Sequence, residues 1–235
     1  AGFEIRKAPL PSSFKPMPIF DLAVNYLIIK NGENISFIQV GANDGDYGDP
    51  LKKYILKYSW SGVLIEPQPE IYKKLLINYE GIDKKIYFEN VAISNATESI
   101  SLFRPYITKE IDRPMIKASS LASTIPNVTA RQLGVKISDL EEIKVPTMTL
   151  DEIVEKYQLF NLDILQMDTE GYDGEVIKTI NLKKYQPKII QFEQGHMNPD
   201  KLDEISCRLK ENGYQLYYGG HESDSVAIRS DFIEL

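Results

Sequence analysis

Acidic and small polar residues follow several short apolar runs in this 235-residue chain. The first group is the segment 41–49, which contains three aspartates within six residues. Further groups are Glu66, Asn90, 168–171 and 193–196. Carboxylates at these places can attract a cationic ligand, accept hydrogen bonds from hydroxyl groups and remove protons. The pattern therefore predicts a site that binds a ligand and transfers protons.

The segment 41–49 has glycines where a strand must turn tightly, but it does not contain the Gly-x-Gly-x-x-Gly pattern of dinucleotide-binding loops. Its aspartates would repel a pyrophosphate, which is bound by bare backbone amides. They favour a ligand that carries an ammonium and a sulfonium group, since unit charges about 4 Å apart interact by roughly 4 kcal/mol at an effective dielectric of about 20. A surface turn rich in Asp and Gly is the alternative interpretation.

Glu66 directly follows the apolar run 61–65 and lies about 25 residues after Gly41. A carboxylate in this position can accept hydrogen bonds from both hydroxyls of a ribose, as in dinucleotide-binding folds. Together, Gly41 and Glu66 indicate a nucleoside without phosphates. The alternative for Glu66 is a solvated strand end.

Predicted strands and helices alternate along the chain. Apolar and β-branched runs predict strands at 35–40, 61–65, 86–93, 99–103, 143–148, 162–167, 188–192, 214–218 and 225–229. Periodicity and capping residues, with Asp49 and Thr149 among the caps, predict helices at 20–30, 50–58, 69–79, 150–157, 174–180 and 199–211. The order predicts an α/β fold, a mostly parallel sheet with helices on both faces. Ligands of such sheets bind at the carboxyl ends of the strands, where the polar groups lie.

Bulk properties exclude several classes of protein. The composition, with 43% hydrophobic residues, fits one domain over 20–235 after a proline-rich linker or N-terminal extension over 1–19. A net charge of −7 argues against nucleic acid as a partner. No apolar run reaches the length of a membrane span. The single cysteine, Cys207, suits a reducing compartment, and we expect a cytoplasmic protein.

Six motifs resemble, in order, those of the FkbM family of methyltransferases. They are IQVGANDG followed by DP, LIEP, NVAI, SSL, TLD and QMDTEG, and they extend from about residue 35 to 196. Gln39 and Thr169 depart from the Asp and Val that are usual in the family. Neither departure changes the expected cofactor.

The resemblance implies a Rossmann-like class I methyltransferase fold with a seven-stranded sheet and S-adenosylmethionine as methyl donor. It also implies O-methylation of a hydroxyl on a sugar, glycan or related natural product. Segment 41–44 would line the methionine end of the cofactor, Glu66 would hold the ribose, and segment 90–92 would border the adenine. The expected cofactor-binding residues are Gly41, Ala42, Asn43, Asp44, Gly45, Glu66, Pro67, Asn90, Val91, Ala92 and Asp168.

Methyl transfer to a hydroxyl requires the acceptor oxygen to be aligned behind the methyl group and its proton to be removed. The candidate bases are Asp168, Glu170, Glu193 and His196, which follow the predicted strands 162–167 and 188–192. A helix cap is the alternative for Glu170, and a surface loop position is the alternative for His196. These groups could also ligate Mg²⁺ or Mn²⁺, but their spacing is loose and we expect a metal-free site.

Periodicity weakens between 104 and 140. Long irregular segments beside an active site are often functional, so we interpret this one as the acceptor-binding wall or lid. Tyr106, Ser119 and Ser120 are its candidate substrate-binding residues, with Tyr106 able to stack on a sugar face. A peripheral flap is the alternative.

Two other functions stay open. A nicotinamide-dependent Rossmann oxidoreductase is disfavoured by the acidic first loop, and a catalytically inactive methyltransferase-like binding module is disfavoured by the presence of Gly41, Glu66 and Asp168. The chain begins with Ala-Gly rather than Met. Together with the prolines at 9–18, this favours a piece of a longer protein, for which fusion to glycosyltransferase domains is one arrangement.

Overall fold

Ten strands form two sheets in the computed structural model, which describes residues 18–58, 60–82, 85–96, 98–106, 121–219 and 224–233. The strands are β1 (Ser36–Val40), β2 (Ser61–Ile65), β3 (Ile86–Glu89), β4 (Ala92–Ile93), β5 (Ser99–Pro105), β6 (Leu140–Met148), β7 (Ile164–Met167), β8 (Ile189–Phe192), β9 (Tyr214–Tyr217) and β10 (Ser225–Arg229). Seven of them form the main sheet, in the order β3-β2-β1-β7-β8-β10-β9. The first five in that order are parallel, and β10 is antiparallel to both neighbours. The predicted α/β fold and its seven-stranded sheet are confirmed.

Helices cover both faces of the main sheet. They are α1 (Ile19–Asn31), α2 (Lys52–Lys57), α3 (Pro69–Asn78), α4 (Pro126–Leu133), α5 (Leu150–Tyr157), α6 (Asp173–Lys178), α7 (Leu182–Tyr185), α8 (Pro199–Glu211) and α9 (Ser230–Ile233). One apolar cluster packs α1, α2, α3 and α9 on one face, and another packs α5, α6, α7 and α8 on the other. Strand residues alternate between the two clusters, as Phe37 and Ile38 do, because successive side chains of a strand point to opposite faces. Among the described residues, no helix has both the length and the apolar character that a membrane crossing requires.

The predicted strand 86–93 is wrong as a single element. β3 pairs with β2, whereas β4 pairs with β6 in a separate three-stranded sheet of order β4-β6-β5. The break lies at Asn90, whose side-chain amide donates to the carbonyl oxygens of Glu66 and Pro67. These bonds hold the chain where it leaves the main sheet, so the apolar run continues in a second sheet.

Local capping fixes several element ends. The side-chain oxygen of Thr149 accepts from the backbone amide of Glu152, and the Glu152 carboxylate accepts from the backbone amide of Thr149. With this capping box, α5 begins after Thr149 as predicted. Oδ1 of Asp49 accepts from the amides of Leu51 and Lys52, so Asp49 fixes the turn that leads into α2. The helix itself begins two residues later than predicted, with Leu51 at its N-cap position. Within segment 104–140, α4 begins with Pro126 and ends at the left-handed Gly134. The sequence interpretation missed this helix.

Candidate functional site

A cleft opens at the carboxyl ends of β1, β2 and β7, where the fold predicts a ligand site. It encloses about 890 Å³ including its open mouth. The predicted residues that line it are Gly41, Ala42, Asn43, Glu66, Pro67, Val91, Ala92, Asp168 and Glu170. Asp44, Gly45, Asn90, Glu193 and His196 are not among the lining residues. The structure therefore brings most of the predicted cofactor residues to one cleft.

Gly41 allows β1 to turn beside β7. Its φ is 78°, and a Cβ at this position would overlap the carbonyl oxygen of Asp168. The amides of Gly41 and Ala42 both donate to the carbonyl oxygen of Ile65 at 2.9 Å, which ties the turn to β2. Gly45 is similarly constrained, because a Cβ there would overlap the side chains of Leu75 and Tyr79. Gly41 is thus required by the close approach of the Asp168 backbone, whereas Gly45 is favoured by its φ of 68° and by the two packed side chains.

The three loop aspartates each have local partners. Oδ1 of Asp44 accepts from the amides two and three residues further along the chain, both at 3.0 Å. Asp46 pairs with Lys52 at 2.7 Å, and Asp49 fixes the turn that leads into α2. These contacts shape the loop, and the attraction of a cationic ligand by its acids stays a prediction.

Glu66 is held rigidly beneath the cleft and is only 4% exposed. Its two carboxylate oxygens accept from the amides of Asn43 at 3.1 Å and Gln68 at 2.9 Å. Burial raises the pKa of Glu66 to about 7, although these two amides oppose the shift. The side chain of Gln68 also bonds this carboxylate, and the lone pairs that remain can accept hydrogen bonds from a ligand. The group is therefore a fixed acceptor of the kind a ribose diol requires.

Asn90 acts on the same region from outside the cleft. Its side-chain amide nitrogen donates hydrogen bonds to the carbonyl oxygens of Glu66 and Pro67, at 2.8 and 3.1 Å. The following residues, Val91 and Ala92, line the cleft and present an apolar surface. Such a surface suits the flat face of a purine, whereas Asn90 itself positions the backbone.

Five carboxylates gather at the ends of β7, β8 and the start of β10: Asp168, Glu170, Asp173, Glu193 and Asp224. Desolvation, followed by the charges of Asp168 and Glu170, raises the pKa of Glu193 to about 9. Asp168 is exposed to the cleft, but the enclosing walls desolvate its carboxylate. The negative charges of the neighbouring acids also oppose its ionisation, so the pKa of Asp168 lies well above its ordinary value. Burial raises the pKa of Asp173 to about 6. This wall of the cleft therefore strongly favours a cation or a proton.

His196 lies between two of these acids. Its Nε2 is 3.5 Å from Glu170 Oε2 and 3.2 Å from Glu193 Oε1. On the other side of the ring, a guanidinium nitrogen of Arg131 is 2.9 Å from Nδ1. Because a guanidinium can only donate, Nδ1 is assigned as the acceptor and the ring proton as lying on Nε2. Desolvation and Arg131 lower the pKa of His196, against the opposing effect of Glu170.

The helix α4 contributes a second contact to this cluster through Gln132. Its amide nitrogen bonds Glu170 Oε2 and lies 3.0 Å from His196 Nε2. Glu170 has a left-handed φ of 54°, and the next residue, Gly171, packs on the Cβ of His196. The carboxylate of Glu170 is thus oriented by side chains, not by a helix amide. Part of segment 104–140 therefore contacts the acidic cluster, and its role as a wall or lid stays a prediction.

Glu170, Glu193 and His196 could hold a metal ion, since one ligand atom of each lies within 4.8 Å of the others. Two carboxylates and an imidazole are a donor set that Mg²⁺ or Mn²⁺ can use. However, the Arg131 and Gln132 donors already bind two of these three groups. The cluster is therefore stabilised by donors of the protein itself.

The candidate acceptor-binding residues are only partly covered by the structure. Tyr106 is described and is 40% exposed. Ser119 and Ser120 lie outside the described residues. Sequence reasoning missed Gln39, Thr124 and Gln166 in the cleft, and Arg131 and Gln132 beside it. A polar residue inside an otherwise apolar strand was the available signal for Gln39 and Gln166.

Several solved structures are similar to this chain at low sequence identity. The methyltransferase FkbM from Methylobacillus flagellatus KT is 14% identical with a TM-score of 0.51, over 83% of this chain and 44% of that one. This chain therefore spans less than half of that protein. The match to the precorrin-6y C5,15-methyltransferase from Geobacter metallireducens GS-15 has 9% identity and a TM-score of 0.44, over 94% and 93% of the two chains. The N-terminal domain of human METTL16 matches with 11% identity and a TM-score of 0.47, over 94% and 74%.

Sequence comparison is more specific than these likenesses, which at such low identity concern the fold alone. No functionally curated protein matches the chain by sequence. The model of the methyltransferase FkbM domain, however, matches residues 39–216, well over half of the 235 residues. The chain therefore belongs to the FkbM methyltransferase family.

Proposed function

We propose that this methyltransferase transfers a methyl group from S-adenosylmethionine to a hydroxyl oxygen of a sugar, glycan or related natural product. Family membership supports the methyltransferase activity and the use of this cofactor. The observation that carries the proposal is the pairing, within one cleft, of the fixed acceptor Glu66 with the acidic wall formed by Asp168 and Glu170. The first suits a ribose, and the second suits a cationic sulfur centre beside a hydroxyl that must lose its proton.

The residues of the cleft fit the cofactor in chemical type. Glu66 offers carboxylate oxygens to the ribose hydroxyls, and Val91 with Ala92 offers an apolar wall to the adenine. When bound, S-adenosylmethionine supplies an electrophilic methyl group on a positively charged sulfur. The acids of the opposite wall stabilise that positive charge.

Glu170 is the proposed base. It lines the cleft, and Gln132 and His196 orient its carboxylate. With S-adenosylmethionine bound, Glu170 would accept the proton that the acceptor hydroxyl loses in exchange for the methyl group. His196 and Glu193 lie behind it and position it, since neither lines the cleft.

An acceptor rich in hydroxyl groups is supported by the chemistry of the wall. Carboxylates accept hydrogen bonds from hydroxyls. Tyr106 does not line the cleft, and its partly exposed ring stays a candidate for stacking on a sugar face. The sugar or natural product is the finer part of this proposal and follows the family resemblance.

The experiment is a transfer assay with methyl-labelled S-adenosylmethionine and a panel of glycosides, with catechols and amines as comparison acceptors. We expect labelled methyl ethers from glycosides only. Calorimetry with S-adenosylhomocysteine and with NAD, under the same conditions, tests the cofactor separately. Binding of NAD without binding of S-adenosylhomocysteine would contradict the proposal, and methylation of amines alone would contradict the hydroxyl acceptor.

A further inference from the structure

A second groove opens among the helices α5, α6, α7 and α8, away from the cleft. It encloses about 610 Å³ including its open mouth, and among the described residues none lines both the groove and the cleft. Three cations and one anion line it, in a protein whose net charge is −7. Its charged and amide-bearing lining residues are Asp151, Lys178, Asn181, Lys183, Arg208 and Asn212.

Several polar groups of the groove are already paired within the protein. Oδ1 of Asp151 accepts from the backbone amide of Asn181 at 2.8 Å, and Oδ1 of Asn181 accepts from two amides of α7 at 3.2 Å each. The ammonium of Lys178 lies 2.9 Å from Glu204 Oε2 and 3.5 Å from Glu175 Oε1. These contacts hold the walls of the groove together, so they do not call for a ligand.

Arg208 and Lys183 differ from these groups, because neither forms an ion pair within the part of the chain that the structure describes. One Nη atom of Arg208 donates to the carbonyl oxygen of Ile180 at 2.9 Å, which orients the guanidinium. Its Nε–H is buried and has no acceptor among the described residues. Since a buried donor without an acceptor destabilises a folded protein, it indicates an acceptor supplied by a ligand.

Arg229 shows the anion that Arg208 lacks. One Nη atom of Arg229 likewise donates to a backbone carbonyl oxygen, that of Gln186, at 3.0 Å. Its Nε, however, is paired with Asp231 at 2.5 Å. The two arginines thus share the carbonyl contact, and only Arg229 has a carboxylate from the protein itself.

We propose that this groove binds a phosphate monoester, with the Arg208 guanidinium and the Lys183 ammonium as its two charged partners. A guanidinium is a planar fork that matches two phosphate oxygens, and an ammonium adds a compact positive charge. Two cations without acidic partners match the two negative charges that a phosphate monoester carries above its second pKa, about 6. A carboxylate carries only one. The site is independent of methyl transfer and takes a ligand opposite in charge to the one that the acidic wall favours.

The test is calorimetric titration with phenyl phosphate at pH 8 and constant ionic strength, with benzoate as the singly charged comparison. We expect benzoate to bind the unmodified protein at least about tenfold more weakly than phenyl phosphate. Arg208→Gln should lower the affinity for phenyl phosphate by at least about tenfold, and Lys183→Gln by about threefold or more. Arg229→Gln is the matched control and should leave that affinity within about twofold, because its guanidinium already has an anion.

Two further measurements separate binding from folding and from the cleft. If the loss of the bond to Ile180 keeps Arg208→Gln from folding, Arg208→Lys replaces it: this variant keeps the charge without the fork, and should bind phenyl phosphate about threefold or more weakly. The affinity of the unmodified protein for S-adenosylhomocysteine should be the same with and without saturating phenyl phosphate, because the groove and the cleft share no described residue.

Four outcomes would overturn the phosphate site. They are the absence of phenyl phosphate binding by the unmodified protein, equal affinity for benzoate, equal losses in Arg208→Gln and Arg229→Gln, and displacement of phenyl phosphate by S-adenosylhomocysteine. The first would assign the Arg208 donor to water, and the last would place the phosphate in the cleft. Failure of S-adenosylhomocysteine to bind at all would count against the proposed function and not against the groove.

Discussion

Two halves of the cleft are built from different kinds of contact. In the cofactor half, formed by residues 39–49 and 66–68, acids accept mainly from backbone amides a few residues away or on the next strand. In the acceptor half, Asp168 and Glu170 line the cleft, and Glu193, His196 and the α4 residues Arg131 and Gln132 lie behind them. The contacts of α4 with Glu170 and His196 join side chains that are 38 to 65 residues apart in the chain. Backbone contacts give the first half a rigid shape, whereas the second half depends on the placement of α4 and contains acids that repel one another.

This difference separates binding from chemistry. A cofactor common to many enzymes needs fixed acceptors, which a loop and two strand ends can provide. An acceptor-specific reaction needs a wall that can differ between proteins, and an inserted helix provides one. Substitutions in the cofactor half should therefore alter affinity and stability, and those in the acceptor half should alter turnover.

Replacing the proposed base should have the largest effect. Because general-base assistance is typically worth about 10²–10⁴-fold, Glu170→Gln should lower kcat by at least about 10²-fold and leave cofactor affinity within about threefold. Steady-state kinetics and calorimetry measure the two quantities, with the exposed Glu80→Gln as a control that should affect neither. If turnover stayed near normal in Glu170→Gln but fell strongly in Asp168→Asn or His196→Ala, the base would be the residue whose replacement lowers turnover.

The next largest effect should be on stability in the cofactor half. Gly41→Ala forces an L-residue to a φ of 78° and places a methyl group against the Asp168 carbonyl, so we expect a loss of at least about 3 kcal/mol in urea unfolding. Gly81→Ala is the matched control, since its φ of 77° is nearly the same but no atom lies within 4 Å of the added Cβ. It should cost only the backbone term, about 1–2 kcal/mol. Equal losses in the two variants would show that the close approach of β1 and β7 is unimportant.

Removal of the ribose acceptor should weaken binding by a smaller amount. Glu66→Ala should lower affinity for S-adenosylhomocysteine by about 1.5–3 kcal/mol, the scale of a hydrogen bond to a charged group. In the free protein the Glu66 pKa is about 7, and the ionised form is the stronger acceptor. Affinity of the unmodified protein should therefore rise between pH 6 and 8, and this rise should be reduced in Glu66→Ala. Unchanged affinity in a folded variant would remove Glu66 from the site.

The same contrast explains which features the sequence could predict. Strand β2 and helices α5 and α8 have the predicted bounds because their caps and apolar patterns are local, as at Thr149 and Asn198. The predicted strand 86–93 was wrong because the bonds that hold its break involve Glu66 and Pro67, more than twenty residues away. Helix α4 had local signals in Pro126 and Gly134, but its short apolar pattern was hidden in an irregular segment.

In the site, the sequence predicted the cofactor half better than the acceptor half. Glu66 and Gly41 follow their strands directly, so topology alone places them at the cleft. The contacts of Arg131 and Gln132 depend on how α4 folds back across the sheet, which no spacing in the sequence indicates. The roles expected for the individual residues remain predictions, which the variants above test.

Replacing Glu193 should have the smallest effect of these variants. It should raise the stability of the protein, whereas the other replacements lower turnover, stability or affinity. The pKa of Glu193 in the folded protein is about 9, above the ordinary 4.5, so between these values the folded state holds a proton that the unfolded state has lost. Stability from this group is therefore fully present below about pH 4.5 and decreases as pH rises towards 9. Glu193→Gln removes that decrease and leaves Asp168 and Asp173 in place. We expect the variant to gain about 1–2 kcal/mol at pH 8, or roughly 2–8 °C in Tm for a domain of this size, and almost nothing at pH 5. Calorimetric melting at both pH values, beside the exposed Glu80→Gln, measures the difference. A gain that is equal at the two pH values would mean that packing, not the repulsion among the carboxylates, distinguishes the acceptor half from the cofactor half.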